Sequence, residues 1–465
     1  MAQYLTNQYS ESNVHPIGLD GSIYPPNEVA VARNITKYQP RSINNNNTAS
    51  VTVCNLSGQI EFNFNTSNMQ WLDLYDSYFL TRYTTVVGAG PSWGKILHLT
   101  QNTIGQAYLY VNGVQVAYTN NWTVASKINK RLQFSKQYNE SMHDINYRSD
   151  VSLVAAGLFE IAAAAGGDGP IGAGYQISQP VPYIQPDTAG VFTDKENLDG
   201  FFMRDKHSCW IPPNCEVRIV LIVDPNAFRK ATRVAAATPT STCIINSIEF
   251  VATSLIRNIP GPVGEWILKF VTNQITTSTV TADCNRNLTV SPNIMKTAIV
   301  FQAPMGPGAA GDILDLTQAG KTAAGDVLAY VTQNEKTDTT RAITGAAGAA
   351  QLNTLQLQLG SIVNPPQAYD FATNLHREAY EQYLQLSGKS KSNESQESFF
   401  DWLTEPIYLF DFPRPDEDKS TNLIVRATRT LGAVTPQMHI VEMDLTVVSM
   451  KFDPTSGAVI ETLVN

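Results

Sequence analysis

The residue types in this chain that could do chemistry are few and widely spaced. Its six histidines (His15, His98, His143, His207, His376 and His439) include no pair at metal-ligand spacing. His376 stands at the start of a predicted helix and reads as solvated. His439 lies in a strand pattern and reads as a structural histidine with a satisfied ring. The five cysteines (Cys54, Cys209, Cys215, Cys243 and Cys284) form no C-x-x-C pair, which argues against a zinc ribbon or a thioredoxin-like motif and for free buried thiols. Gly167-Asp-Gly-Pro-Ile-Gly172 has the G-x-G-x-x-G spacing. A dinucleotide site needs a strand before that motif and a helix after it. Here an Ala-rich helical pattern (150–165) precedes it and Gln179-Pro-Val-Pro182 follows, so it reads as a loop. Asp416-Glu-Asp418, beside Pro413 and Pro415, reads as a solvated acidic turn. The aromatics Phe399, Phe400, Trp402, Tyr408, Phe410 and Phe412 could make a sugar-binding platform, but their place between a helix and a strand makes them core. Neither an H-E-x-x-H nor a Walker A spacing occurs. These residues name no catalytic group, cofactor site or metal site.

The elements that would position them are mostly strands. Gln59–Phe64 alternates, as does Ser50–Cys54, and Leu72–Val86 is a long run rich in Tyr and β-branched residues. Asn112-Gly113 sits between Ala107–Val111 and Val114–Tyr118. That is a strong hairpin signal, because a type I′ turn needs positive φ at both central positions. Residues 129–136 fit a short helix or a further strand. A loop is expected over 166–200, after which Phe201–Met203 resumes the sheet and Glu216–Val223 forms a buried strand. Ile244–Leu255 closes this half. In the second half, 267–273, 274–282, Ile299–Phe301, the alternating Leu355, Leu357 and Leu359, Ile407–Phe412, Asn422–Arg429 and Met438–Met450 are strand candidates. Arg377–Leu386 is a helix closed by Gly388. No repeat of 20–50 residues occurs, which argues against solenoids and propellers.

Composition narrows the class. Charged residues make up 16% and hydrophobic residues 43%, a low charge that suits large, partly covered sheets and not a disordered chain. The net charge of −9 divides into −2 over 1–255 (17 Lys+Arg against 19 Asp+Glu) and −7 over 256–465 (15 against 22). A protein that coats phosphate backbones carries a basic stripe, and none is visible. The N-terminus lacks the basic and apolar regions of a signal peptide, and no apolar run approaches the ~20 residues that span a bilayer.

In order, these pieces resemble the double jelly-roll major capsid proteins of eukaryotic double-stranded DNA viruses, in the Polinton-like, adintovirus and virophage branch. Three blocks carry the likeness. One is Trp71–Thr85 with the Tyr108–Val116 hairpin, and a second is Trp210–Leu221 with Ile245–Leu255. The third is the passage from Leu355 through Pro365-Pro366 and Arg377–Leu386 to Ile407–Phe412. At the second hairpin the chain has Leu359-Gly-Ser361 in place of an Asn-Gly-like turn. The resemblance implies an all-β fold with a few inserted helices, built as two tandem eight-stranded jelly rolls. It divides the chain into an N-terminal arm (1–45), a first roll (46–256) with a long loop near 150–200, a second roll (257–452) with a loop near 304–350 and a helix near 374–387, and a tail (453–465). It further implies a structural, non-enzymatic subunit of the virion that trimerises into pseudo-hexagonal capsomers tiling an icosahedral shell. Its partners would be itself, penton and minor capsid proteins, with no sequence-specific contact to nucleic acid, no cofactor, and internal-membrane contact left open. A viral fibre, a spike or another carbohydrate- or receptor-binding β-protein is the rival reading, and a β-sandwich hydrolase a further one.

Overall fold

The computed structural model describes residues 31–41, 43–45, 54–66, 70–86, 99–134, 191–202, 210–224, 242–257, 264–280, 282–302, 351–371, 376–389, 399, 402, 406–412, 421–430, 437–453 and 459–464. The first half contributes β1 (Val31–Tyr38), β2 (Asn44–Asn45), β3 (Leu56–Ser57), β4 (Gln59–Asn65), β5 (Gln70–Val86), β6 (Ile104–Val111), β7 (Val114–Thr119), β8 (Val191–Asn197), β9 (Trp210–Ile211), β10 (Glu216–Val223) and β11 (Thr242–Arg257). The second half contributes β12 (Gly264–Thr279), β13 (Asp283–Thr289), β14 (Ile294–Gln302), β15 (Gln351–Leu359), β16 (Ile362–Asp370), β17 (Tyr408–Asp411), β18 (Asn422–Thr430), β19 (Gln437–Phe452) and β20 (Val459–Val464). The helices are α1 (Leu99–Thr103), α2 (Trp122–Gln133) and α3 (Arg377–Leu386), with a 3-10 turn at Asp199–Phe201.

The strand order identifies the fold. One sheet runs β1-β11-β5-β8, and one half of the nine-stranded sheet runs β4-β10-β6-β7. Taking these eight strands in chain order, the two sheets read 1-8-3-6 and 2-7-4-5. The same two orders recur in β12-β19-β14-β17 and β13-β18-β15-β16. Each set is an eight-stranded jelly roll of two facing sheets, and the chain holds two of them in tandem. One sheet of each roll merges into the continuous nine-stranded sheet, through a parallel contact of β7 with β12 at Thr119 and Asn273.

Local chemistry explains the turns. Asn112 (φ 51) and Gly113 (φ 78) both take positive φ in the two-residue β6–β7 hairpin, as the Asn-Gly signal requires. The second hairpin also forms. Leu359 pairs with Ile362, and Gly360 at φ 57 supplies the positive φ at the first central position. Pro365 and Pro366 lie within β16, an outermost strand of its sheet, where a missing N–H costs no interior ladder bond. At the end of α3, Lys389 N–H donates to Leu384 O (2.9 Å) and Gly388 N–H to Gln385 O (3.0 Å), with Gly388 at φ 69. These are the paired closing bonds of a Schellman cap.

Several expectations are corrected. Residues 31–38, within the expected arm, form β1, which pairs with β11 from Val31↔Arg257 to Tyr38↔Phe250. Residues 191–197, within the expected loop, form β8 against β5, while Phe201 belongs to the 3-10 turn and not to a strand. The expected tail contains β20, paired with β19. Residues 267–273 and 274–282 are not two strands: β12 runs unbroken from Gly264 to Thr279. Helix α2 decides the helix-or-strand alternative over 129–136 and starts earlier, at Trp122, where the Asn121 side chain accepts from Val124 N–H (3.4 Å). Such an N-cap contributes about 1 kcal/mol. The patterns at 50–53 and 150–165 lie outside the described residues.

The two hydrophobic cores do not divide at 256/257. Trp266, Leu268 and Phe270 of β12 pack in the first core with Val448, Met450 and Phe452 of β19. Val124, Ala125, Ile128 and Leu132 of α2 pack in the second. Each roll therefore contributes side chains to the other's interior.

Candidate functional site

The feature with the most chemistry is the seam between the rolls. β7 and β12 share a single register pair there, and side chains extend the ladder. Asn120 Nδ2 donates to Ile275 O (3.0 Å) and Ile275 N–H donates to Asn120 Oδ1 (2.8 Å). Tyr118 OH donates to Gln274 Oε1 (3.1 Å), and Asn273 Nδ2 to Gly200 O (2.6 Å). Trp266 packs its ring 4.7 Å from that of Trp71 and donates its indole N–H to Trp210 O (3.3 Å).

Helices α2 and α3 make a second joint. Tyr383 OH donates to Arg131 O (3.3 Å), and Lys389 Nζ donates to Phe134 O (2.7 Å) and to Arg131 O. These donors meet carbonyls at the end of α2, where the helix leaves its last C=O groups unsatisfied and its dipole favours a cation.

Every residue of α2 is buried, including Lys127, Lys130 and Arg131. Buried charge must be paired. Lys130 Nζ lies 2.7 Å from Glu196 Oε2 and 3.9 Å from Asp199 Oδ2. Trp122 Nε1 (3.0 Å) and Ser126 Oγ (2.6 Å) donate to the other Glu196 oxygen. Burial pushes the Asp199 carboxyl up to about 7, against the pull of Lys130. This cluster fixes α2 against β8. Sequence reasoning missed it, because the partners lie 66 residues apart and β8 reads as loop.

Among the described residues singled out for chemistry, His376 meets the aromatic group at Tyr408 in the second core, and His439 stands apart from them. His376 is fully buried, contrary to the expectation of a solvated ring. It takes φ 69, stacks on Phe371 at 4.2 Å and shares a hydrogen bond with Tyr408 OH (3.1 Å). Burial lowers its pKa to about 3, so it is neutral at ordinary pH. His439 shares a 2.8 Å hydrogen bond with Thr277 Oγ1, as a structural histidine should. His15, His98, His143 and His207 lie outside the described residues.

Cys54, Cys215 and Cys284 are free and buried. Desolvation lifts Cys54 to about 11 and Cys215 to about 12, the opposite of an activated thiolate. Cys209 lies outside the described residues, and Cys243 lies on β11.

Phe410, Tyr408, Phe412 and Trp402 are buried in the second core, with Phe399 packed at its margin, so they are core and not a platform. Phe400, Gly167–Gly172 and Asp416–Asp418 lie outside the described residues. A G-x-S-x-G spacing, not expected from the sequence, does occur at Gly90-Pro-Ser-Trp-Gly94, and it also lies outside the described residues. A nucleophile elbow needs its Ser on a tight strand-to-helix turn. Twelve residues separate the end of β5 at Val86 from the start of α1 at Leu99. Among the described residues no group of three His, Cys, Asp or Glu is placed to hold a metal.

No family model matches the sequence, and no curated protein matches it. Solved structures do match in fold. A chain of the Sputnik virophage structure superposes with a TM-score of 0.53 at 12% identity, over 93% of this chain and 88% of that one. A chain of the PBCV-1 virus capsid superposes with a TM-score of 0.50 at 11% identity, over 95% and 98%. The mavirus major capsid protein aligns over 96% and 94% at 11% identity, with a TM-score of 0.45. The chain thus has the double jelly-roll fold found in virus capsids, as its strand order shows independently.

Proposed function

We propose that this chain is a major capsid protein, a structural subunit of a double-stranded DNA virus particle that forms homotrimers. Three subunits with two similar rolls each make a capsomer of pseudo-hexagonal outline, and such capsomers tile an icosahedral shell. The observation that carries this reading is the repetition of one jelly-roll strand order twice in a chain, with the two rolls bonded through a continuous sheet. A rigid two-roll block presents two similar faces, which a closed three-fold assembly uses identically in every subunit. The fold match to the PBCV-1 capsid supports it. So does the seam, where polar groups hold one roll against the other. Ile35 on β1 and Ile460, Leu463 and Val464 on β20 expose large apolar side chains, which neighbouring subunits would cover. Penton and minor capsid proteins are the further partners this role requires. The domain limits expected from sequence stand as part of this proposal, with β1 and β20 added to the rolls they pair with.

Size-exclusion chromatography with light scattering, followed by electron microscopy of the purified chain, tests the proposal. Stable trimers of hexagonal outline, or shells, are expected. A monomer that hydrolyses glycans would overturn it, and a monomer that binds glycans without assembling would favour the fibre or spike reading.

A further inference from the structure

The second roll buries a carboxylate that its fold leaves uncompensated. Glu442 on β19 is 1% exposed, and neither of its carboxylate oxygens has a hydrogen-bond partner. An isolated buried carboxylate is costly, and a protein relieves it with a proton, a cationic side chain or a metal ion. Two positions along β19 on the same face stands Asp444, also buried, since side chains alternate along a strand. The cross-strand neighbours of Glu442 are Gln274 on β12 and Thr297 on β14. Directly opposed residues lie about 5 Å apart. Thr297 is fully buried and its Oγ1 likewise has no hydrogen-bond partner. Gln274 presents Oε1, which accepts from Tyr118 OH and keeps a second lone pair. A cavity of about 380 Å³ is lined by Tyr118, Gln274, Asn293, Asp444 and Thr446 among others; Gln274 and Asp444 reach its wall, and Glu442 and Thr297 lie behind them.

We infer that Glu442 and Asp444, with the neutral oxygens of Thr297 and Gln274, form a binding site for a hard divalent cation of the Ca²⁺ class, entered from the seam cavity. The donor set is all oxygen, with two carboxylates and two uncharged donors, as such ions prefer. Gln274 and Thr297 flank Glu442 on its two sides, each about 5 Å away, so the long Glu442 and Gln274 side chains would reach over β19 to share one ion at the usual 2.3–2.6 Å. Thr297 Oγ1 is a further buried oxygen without a hydrogen-bond partner directly opposite Glu442, and it adds a neutral donor to the set. The ion would tie β12, β14 and β19 together beside the inter-roll contact.

Terbium, a hard oxygen-seeking probe whose emission nearby tyrosine sensitises, tests the site on the full chain. Expected is saturable emission at one ion per chain, reversed by Ca²⁺, with a rise in thermal midpoint on adding Ca²⁺. Glu442→Gln should abolish both responses while keeping the far-ultraviolet circular dichroism. Asp444→Asn should weaken binding by about tenfold or more, and it decides the matter should Glu442→Gln fail to fold. Tyr118→Phe should dim the emission while the Ca²⁺ competition midpoint stays within a few-fold. The inference is overturned when the natural chain shows no saturable binding at millimolar terbium, or when Glu442→Gln and Asp444→Asn bind as it does.

Discussion

Asn120 and Ile275 meet across the inter-roll seam as a strand residue meets its partner, except that the amide of Asn120 is a side chain. Its Nδ2 donates to the Ile275 carbonyl and its Oδ1 accepts the Ile275 N–H, at 3.0 and 2.8 Å. The backbone contact of β7 with β12 is a single register pair, Thr119 with Asn273, so this side chain doubles the ladder at the join. Asn120→Ala should destabilise the chain by about 1–2 kcal/mol, the loss of two partly exposed hydrogen bonds. Hydrogen exchange at the Ile275 amide should quicken while exchange in β18, remote from the seam, is unchanged. Unaltered protection at Ile275 would show that the contact carries no load.

The Lys130–Glu196 pair gives a sharper prediction. Both side chains are 1% exposed and 2.7 Å apart, with Asp199 close by. Lys130→Met removes the ammonium that contacts both buried carboxylates, leaving only the more distant charge of Lys195 acting on Asp199, and should cost about 3–5 kcal/mol in denaturant unfolding. Glu196→Gln keeps acceptors for Trp122 and Ser126 and should cost less. The double variant Lys130→Met/Glu196→Gln should recover part of the loss of Lys130→Met, because only Asp199 then remains and it can take a proton. Strict additivity of the two single losses would refute the coupling.

How much of this was legible in the sequence depended on distance along the chain. The Asn112-Gly113 hairpin, the alternation at Leu355, Leu357 and Leu359, and the Gly388 stop of α3 are written in neighbouring residues, and all three appear as read. Several edge strands were missed for a physical reason. β13 (DCNRNLT) buries little beyond Cys284, and β8 (VFTDKEN) carries charges whose burial depends on α2. Neither shows an apolar alternation to count. β1 and β20 sit outside the main apolar runs and gain their partners from strands far away. The seam, where Asn120 mimics backbone and Glu442 is buried, was invisible for the same reason: side chains 155 residues apart create it. His376 reads as a polar helix start, whereas in the fold it packs against Phe371 and Tyr408, residues that its local sequence does not bring to it.

Two aromatics of the α3-to-β17 passage should behave unequally. Phe410 is fully buried, with its ring 6.1 Å from Tyr369, and Phe410→Ala should cost about 3–5 kcal/mol. Tyr380 is only partly buried, with Phe399 and Trp402 against its ring at 5.3 and 5.6 Å, so Tyr380→Ala should cost less. On chromatography Phe410→Ala should lose soluble trimers before Tyr380→Ala does. Trimers of natural yield from Phe410→Ala would remove this strand from the folding core.

His376 sets a pH dependence whose sign follows from its burial. In the unfolded chain its imidazole takes a proton near 6.5, whereas in the folded chain it does so only near 3. Phe371 stacks on one side, Tyr408 OH engages Nδ1, and Nε2 has no hydrogen-bond partner to stabilise a charge. Between those two values the unfolded state binds a proton that the native state does not. Stability from this group is therefore complete above about 6.5 and is lost as pH falls toward 3, by about 1.4 kcal/mol per pH unit. Asp199, raised to about 7 from an ordinary 3.8, acts oppositely in an overlapping window: stability falls there as pH rises. Glu442, likewise raised to about 7 by burial, acts in the same direction as Asp199, and a pH scan of the natural chain alone sums all three, so the comparison must be made by variant. His376→Asn tolerates the positive φ and cannot titrate. Its unfolding free energy should fall less steeply than that of the natural chain between pH 6.5 and 4, and parallel curves would mean that His376 is protonated in the folded protein.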